Sequence, residues 1–456
     1  MNAPFILSPG LDPDAWRMLL AAKYFAEHHT YIASRLPGYP VPELVYSVTG
    51  ANSPWVCIAL TVFVSIIGFL AFYRILQTLG IKDRLLVTLA YALTPVVLIN
   101  SVSTMDYMWA ISLVLVSILM AVRRQTVLCG VFLGVAVGCR ITSSLMLLPV
   151  GMLVYSTFQE KTQRTKQLSE FFISTVLTSL LCFAPVLQSY GFAFLRHSEG
   201  STFSLLTLAK EVTVDTFGII GTLGIPIALG LQAFLKNRRQ GEGLHPEHVW
   251  KRVAWSVVGI YGFLFALLPL DAGYLIPIIP FLLILARLHL SRISFRIIAF
   301  SLLLSPFFIS MDSKDRPWSA PSSPLSIQTK VSDRILAIDC LQGAFVLDIL
   351  KRNAQQAYAN IVLDWSRSQA DSAIVIAGVW MPALTYLSNG TLSQQKEERI
   401  QVGRVAIVGL LDKEALSAIR SRGIQTYFIT GQDLYNQDVY GVNPKNFESE
   451  ELVHAK

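Results

Sequence analysis

Charge is scarce in this chain. Of 456 residues only 15% are charged, against roughly 25% in soluble proteins, while 53% are hydrophobic and the mean hydropathy is +0.51. Intrinsic disorder is excluded, because it needs low hydrophobicity and high charge. A single soluble enzyme domain is disfavoured for the same reason. Cysteine is scarce too. Cys57, Cys129, Cys139, Cys182 and Cys340 form no CxxC pair and no Cys/His cluster, so neither a structural zinc site nor a disulfide framework is indicated. The glycines build no GxGxxG and no P-loop, and no internal repeat is visible. What the chain does have is long apolar runs, which point to the bilayer as solvent. The net charge of +7 then belongs to topology and not to nucleic acid, because Lys and Arg collect in cytoplasmic loops.

Three regions separate by composition. Residues 1–53 are mixed, with many aromatics, prolines and glycines. Residues 54–311 are apolar runs broken by short polar turns. Residues 312–456 have soluble composition. The middle region divides into about ten candidate spans of roughly 17–25 residues or somewhat less. They lie near 55–77, 85–102, 107–122, 126–139, 141–157, 169–188, 216–235, 253–270, 274–290 and 294–311. The pair 126–139 and 141–157, parted only by Arg140, reads as two short or tilted helices around a tight polar turn.

The turns alternate in charge. One set holds Arg74, Lys82, Arg84, Arg123, Arg124, Lys161, Arg164, Lys166, Lys236, Arg238, Arg239, Lys251, Arg252, Arg287, Arg292 and Arg296. The other holds only Arg140, Arg196 and Lys210. The positive-inside rule assigns the first set to the cytoplasm. Residues 1–53 and 312–456 are then both expected outside. The segment 188–215, with Arg196, His197, Glu199, Lys210 and Asp215, is expected as an interfacial loop on that outer side. In the C-terminal region, 334–339, 372–379, 403–410 and 425–430 are β-branched runs that suit buried strands. Helical patterns separate them at 345–368, 380–388 and 412–422. That alternation predicts a small α/β domain with a mainly parallel sheet. Asn389-Gly390-Thr391 fits an N-glycosylation sequon.

The outer segments carry the polar residues that invite chemistry. Asp12-Pro13-Asp14 reads as a helix start followed by AWRMLLAAKYFAEHH, a helix suited to lie along the interface. Both aspartates can be read simply as caps. Ser34-Arg35-Leu36-Pro37-Gly38-Tyr39-Pro40-Val41-Pro42-Glu43 is expected as a rigid irregular loop holding Arg35 and Tyr39 in fixed places, or as a plain connector. Asp106, in Ser103-Thr104-Met105-Asp106-Tyr107, sits at a span's outer end with no balancing cation nearby in sequence. An ionisable residue at a membrane boundary is a functional candidate, and capping is the other reading. Arg140 suits a phosphate through charge-assisted bonds or snorkels to lipid headgroups. Asp271 and Tyr274 occupy a further outer turn, Pro269–Pro277. All these groups come from separate loops, yet the topology puts them on one side.

These motifs resemble the GT-C superfamily of membrane glycosyltransferases, which includes protein O-mannosyltransferases and lipid A aminoarabinose transferases. DPDAWRMLLAAKYF resembles the family's acidic first outer loop and interfacial helix, and SRLPGYPVPEL a segment that a subset carries further along that loop. STMDY resembles the second acidic loop, GVFLGVAVGCRITSSLMLLPV the short helix pair with its basic turn, and YLIPIIPFLLIL a late YL-x-P-x-x-PF pattern. The resemblance covers about residues 8–311, leaving the C-terminal domain outside. Family members have a helix before the first acidic loop, so a truncated start is expected.

The resemblance implies a mainly α, polytopic GT-C-like fold and transfer of a sugar from a polyprenyl-phosphate donor at the extracytoplasmic face, with inversion. Acceptor class, whether lipid, glycan or protein, stays open. It implies an acidic general base on the acceptor hydroxyl: Asp12, with Asp14 the alternative. Asp106 would position the acceptor or bind a metal, so a divalent ion stays open. Arg140 would stabilise the leaving phosphate, and Arg35, Tyr39, Asp271 and Tyr274 would contact substrate. Two other classes compete. A secondary transporter should show mid-membrane charges and paired broken helices. A non-catalytic scaffold has no reason to gather Asp12, Asp106, Arg140 and Asp271 on one side.

Overall fold

The computed structural model describes residues 8–192, 205–234, 247–268, 271–313, 319–331, 334–392, 399–409 and 413–429. The chain enters through α1 (Pro13–His28) and α2 (Pro40–Thr49). Asp12 caps α1, its side chain accepting from the Asp14 amide at 2.8 Å, and Pro13 fills the first turn. The stretch expected as wholly irregular is irregular only to Tyr39. Gly38 adopts φ +95°, a region open to glycine, and Pro40 then starts α2, because a proline costs nothing at a helix's first position.

Each of the ten apolar runs is helical over most of its described length. They appear as α3 (Pro54–Thr78), α4 (Arg84–Ala92) with α5 (Pro95–Ser101), α6 (Tyr107–Val122), α7 (Thr126–Cys139), α8 (Leu147–Thr157), α9 (Lys161–Tyr190), α10 (Leu205–Lys210) leading into α11 (Thr216–Phe234), α12 (Glu247–Leu267), α13 (Ile279–His289) and α14 (Arg292–Leu304). Among the described residues, four helical stretches are long and apolar enough to cross a membrane alone: Pro54–Thr78, Lys161–Tyr190, Leu205–Phe234 and Ala272–His289. A multi-pass membrane protein follows; the figure of ten crossings does not. The run at 85–102 is bent by 68° between α4 and α5. Pro95 lacks the N–H that would continue the ladder. The break at Arg140 is as expected. Arg140 itself is extended (φ −158°, ψ 117°), and a 3₁₀ turn over Ile141–Met146 precedes α8. The helix expected to reach 311 stops at Leu304.

The C-terminal region holds two sheets. β1 (Ser310–Ser313), β2 (Ser326–Val331) and β3 (Arg334–Asp339) form an antiparallel sheet in the order β1-β3-β2. The run at 334–339 is therefore not a strand of the parallel layer. α15 (Ala344–Ser368) follows, then β4 (Ala373–Ile376), α16 (Met381–Leu387), β5 (Arg399–Val402), β6 (Val405–Val408), α17 (Lys413–Ser421) and β7 (Gln425–Phe428). In the order β5-β6-β4-β7, β4 pairs parallel with β6 and β7, and β5 adds an antiparallel edge. The expected mainly parallel α/β layer is there. It docks on the first segment: buried Lys23 donates to the carbonyls of Asn389 (3.0 Å) and Gly390 (3.3 Å), and Tyr386 donates to Ala51 O at 3.0 Å. The sequon's backbone thus lies against α1.

Helices α7 and α9 pack closely along a row of glycines. Gly130, Gly134 and Gly138 form one stripe at spacing four, the small-xxx-small pattern that lets backbones approach in a bilayer. A Cβ at Gly134 would stand 2.5 Å from Thr178 Cβ, and one at Gly138 2.5 Å from Cys182 Cβ. Gly134→Leu must then force α7 off α9, at a cost of about 1–3 kcal/mol of overpacking, and lower the melting temperature in detergent. Gly259→Leu is the control, because nothing stands within 4 Å of its Cβ position. Equal melting of the two variants would refute the close contact.

Candidate active site

The site is built from helix ends. Asp12 heads α1, Asp106 heads α6 and Asp271 heads the 272–289 helix, so three carboxylates face positive helix termini, while Arg140 stands at the negative end of α7. Asp106 is fully buried, at 0% exposed. Such a charge survives only if paired and hydrogen-bonded. One of its oxygens accepts from Arg35 Nη2 at 3.2 Å, and the other is ion-paired with Arg140 Nη1. Arg35 has no spare nitrogen: Nη1 pairs with Asp14, and Nε donates to Tyr39 Oη at 2.8 Å. Asp14 also meets Arg17 Nη1 at 3.3 Å. Arg140 is 5% exposed, and its guanidinium lies 4.1 Å from the Tyr107 ring centre and 4.4 Å from that of Tyr274. Two aromatic rings and one carboxylate thus hold it in place.

Tyr107 turns its hydroxyl the other way, donating to Asp271 Oδ2 at 3.0 Å. Burial, and then the nearby Asp12 charge, push the Asp271 carboxyl above the ordinary range. The amide of Ala272, beside Asp271, donates to Glu211 Oε2 at 2.8 Å. Glu211 sits in a π-helical turn, Glu211–Asp215, between α10 and α11, the kind of irregular turn that often marks function. Of the segment expected to overlie the site, 193–204, with Arg196, His197 and Glu199, lies outside the described residues.

All eight residues singled out by sequence reach this one end of the bundle. Asp106 pairs with two arginines, Arg35 and Arg140. Among the described residues, no three His, Cys, Asp or Glu side chains converge as metal ligands. Arg35 and Tyr39 bond each other, and Tyr274 buttresses Arg140. Sequence reasoning missed Tyr107, Arg17, Glu211 and Glu43. Tyr107 had a signal in its place directly after Asp106.

Glu43 closes the 31–43 loop. Its Oε1 accepts from the Ser34 amide at 2.8 Å and its Oε2 from the Tyr39 amide at 3.3 Å, while Tyr31 Oη makes a short bond to Oε2. The residues flanking Arg35, and Tyr39 itself, are thereby fixed. Burial raises the Glu43 carboxyl above its ordinary value, outweighing the donors from Ser34, Tyr31 and Tyr39 that favour the ionised form. The folded chain therefore keeps a proton that the unfolded chain releases. This contribution to stability is fully present below the ordinary glutamate range, about 4.3, and is lost as pH rises through the raised folded value. Thermal melts at a series of pH values should show stability falling across that window, with a shallower fall in Glu43→Gln. Parallel profiles for the two proteins would refute the assignment.

The likeness found among solved structures is one of fold. The crystal structure of apo ArnT from Cupriavidus metallidurans superposes with a TM-score of 0.53 at 13% identity, covering 95% of this chain and 87% of that one. The same protein bound to undecaprenyl phosphate gives 0.51 at 14%, covering 93% and 86%. At such identity the likeness is one of fold. It also corrects one expectation: coverage of 95% cannot leave out residues 312–456, so the likeness extends into the C-terminal domain. The family model of GPI transamidase subunit PIG-U matches residues 43–216, less than half the chain. No curated protein matches the sequence.

Proposed function

We propose that this protein is a membrane glycosyltransferase that moves a sugar from a polyprenyl-phosphate donor to an acceptor hydroxyl at the extracytoplasmic face, with inversion. The observation that carries the reading is the convergence of Asp12, Asp14, Asp106, Asp271, Arg35 and Arg140 from five separate segments on one end of the bundle. The fold likeness to a protein crystallised with undecaprenyl phosphate supports the donor class.

Chemically the roles separate. The acceptor oxygen attacks the anomeric carbon as the bond from that carbon to the phosphate oxygen breaks. The acceptor proton passes to Asp12. The electron pair of the broken bond stays with the polyprenyl phosphate. Arg140, flanked by the Tyr107 and Tyr274 rings and paired with Asp106, meets that phosphate already held in place, so little reorganisation is needed. Arg35 keeps its protein partners and fixes Asp106. Asp271 stays near Asp12, held by the Tyr107 hydroxyl. The carboxylates sit at helix ends, not mid-span, which disfavours the transporter class.

A second reading has one observation in its favour. The PIG-U match at 43–216 takes in Asp106 and Arg140 but leaves out Asp12, Asp14 and Asp271. A lipid-recognising subunit without transfer chemistry would keep the first pair and have no use for the base. Asp12→Asn separates the two. As a cap, asparagine serves about as well as aspartate, so the helix should lose at most a few tenths of a kcal/mol. As a base it fails, so turnover should fall by about 10²–10⁴-fold, with undecaprenyl phosphate binding retained. Asp14→Asn should instead disturb Arg35 and weaken donor binding. Normal turnover in Asp12→Asn would end the base assignment, and donor binding with no transfer by the parent protein would favour the subunit.

The orientation has its own test. In a cysteine-free background, single cysteines at Ser322 and Lys161 should label from outside and inside respectively. The reverse pattern in intact cells would invert the topology.

A further inference from the structure

Arg352 lies on α15, in the C-terminal domain, and is 1% exposed. Its Nε pairs with Asp348 Oδ2 at 2.6 Å, one helical turn back. The rest of its fork leaves the domain. Nη1 donates to Val102 O at 2.9 Å, and Nη2 to Ile99 O at 3.3 Å and to Ser103 Oγ at 2.7 Å. These acceptors stand at the end of α5, where helix carbonyls lack intrahelical partners and a cation is favoured. An apolar side chain could fill the same space. Only a planar, multi-donor cation can engage three acceptors there and also pair with Asp348.

What α5 leads into gives this contact its meaning. Ser103 is three residues before Asp106. Between them, the Thr104 amide donates to Pro9 O at 3.0 Å and its hydroxyl to Ala15 O at 2.8 Å. The Ile99–Asp106 segment is thus held on one side by Arg352 and on the other by the chain that carries Asp12. It ends in the carboxylate that fixes Arg35 and Arg140. The same helix reaches the base's own strand of backbone, since Gln355 Nε2 donates to Leu11 O at 3.5 Å.

We propose that Arg352 is a positioning residue for the site: from the C-terminal domain it fixes the Ser103–Asp106 turn, and through Asp106 the orientation of Arg140. The domain thereby sets the geometry of phosphate binding without touching substrate. The binding half of this inference rests on the phosphate role given to Arg140 above; the mechanical half does not.

The experiment has two arms, both on the full chain in nanodiscs. In the first, without ligand, hydrogen exchange is followed in Arg352→Met. Amides of Ser103–Asp106 should exchange roughly tenfold or more faster, those of Val375 and Ile407 at the parent rate, and Arg352→Lys should fall between. Should Arg352→Met fail to fold, Ser103→Ala removes one acceptor and is read the same way. Unchanged exchange in the turn overturns the proposal. In the second arm, undecaprenyl phosphate binding is measured in a double-mutant cycle with Arg140→Gln. A residue acting through Arg140 should weaken binding about tenfold alone and add little on the Arg140→Gln background. Fully additive losses overturn the positioning role and leave Arg352 a domain anchor. If Arg140→Gln alone leaves binding unchanged, the phosphate assignment under Proposed function fails, and the exchange arm alone decides whether Arg352 holds the turn.

Discussion

The structure turns on one buried carboxylate. Asp106 has no exposed surface and sits between two guanidinium groups. Its desolvation is offset only while both remain in place. Removing either would leave one of its two buried oxygens without a partner, a loss of about 1–3 kcal/mol for a buried polar group. Around it the charges alternate: Asp14, Arg35, Asp106, Arg140. No member can move without exposing the next. The loop closed by Glu43 delivers Arg35, the break after α7 delivers Arg140, and the turn after α5 delivers Asp106. Three irregular backbone stretches are thereby tied to a single electrostatic arrangement.

That arrangement explains why helix breaks occur where they do. A bilayer tolerates non-helical backbone only where protein or water satisfies it. The extended Arg140, the bend before Pro95 and the turn at Asp271 all fall at the charged end, where side chains and neighbouring backbone supply partners. At the opposite end the cations make simpler contacts. Arg84 donates to Tyr73 Oη at 2.8 Å and Arg287 pairs with Asp83 at 3.4 Å. These are anchoring contacts and gather no carboxylate cluster.

The sequence made the helices legible because their signals are local: apolar run length, Pro at first turns, Asp at a cap. It also indicated which loops share a side, since Lys and Arg alternate from turn to turn. It could not show how those loops pair. Asp106 has no cation near it in sequence, and both its partners are distant in the chain, Arg35 before it and Arg140 after. The role expected for Asp106, toward acceptor or metal, is what the family resemblance implies and says nothing of these two partners. Glu43 was hidden in a proline-rich stretch because a loop-closing carboxyl has no periodicity. The strand at 334–339 was placed in the wrong sheet for a related reason. A β-branched run announces a strand but not its partner, and pairing with β1 required a strand in residues read as the end of a membrane span.

The division of labour between the two arginines follows from counting donors. Arg35 engages Asp14, Asp106 and Tyr39 with its three nitrogens and is spent on structure. Arg140 meets Asp106 through one nitrogen, and its ring contacts use the π-faces of Tyr107 and Tyr274, not its N–H groups. Its hydrogen-bonding edge is therefore less committed than that of Arg35, while two aromatic rings flank it. A phosphate recognised by geometry as well as charge needs that combination. Asp106, by neutralising one positive charge of the pair, keeps the site from holding two adjacent cations in a low-dielectric setting. It also limits how strongly a phosphate can be retained. On the transferase reading proposed above, a lipid phosphate must be released after each turnover, and moderate retention would suit that cycle better than the tightest grip.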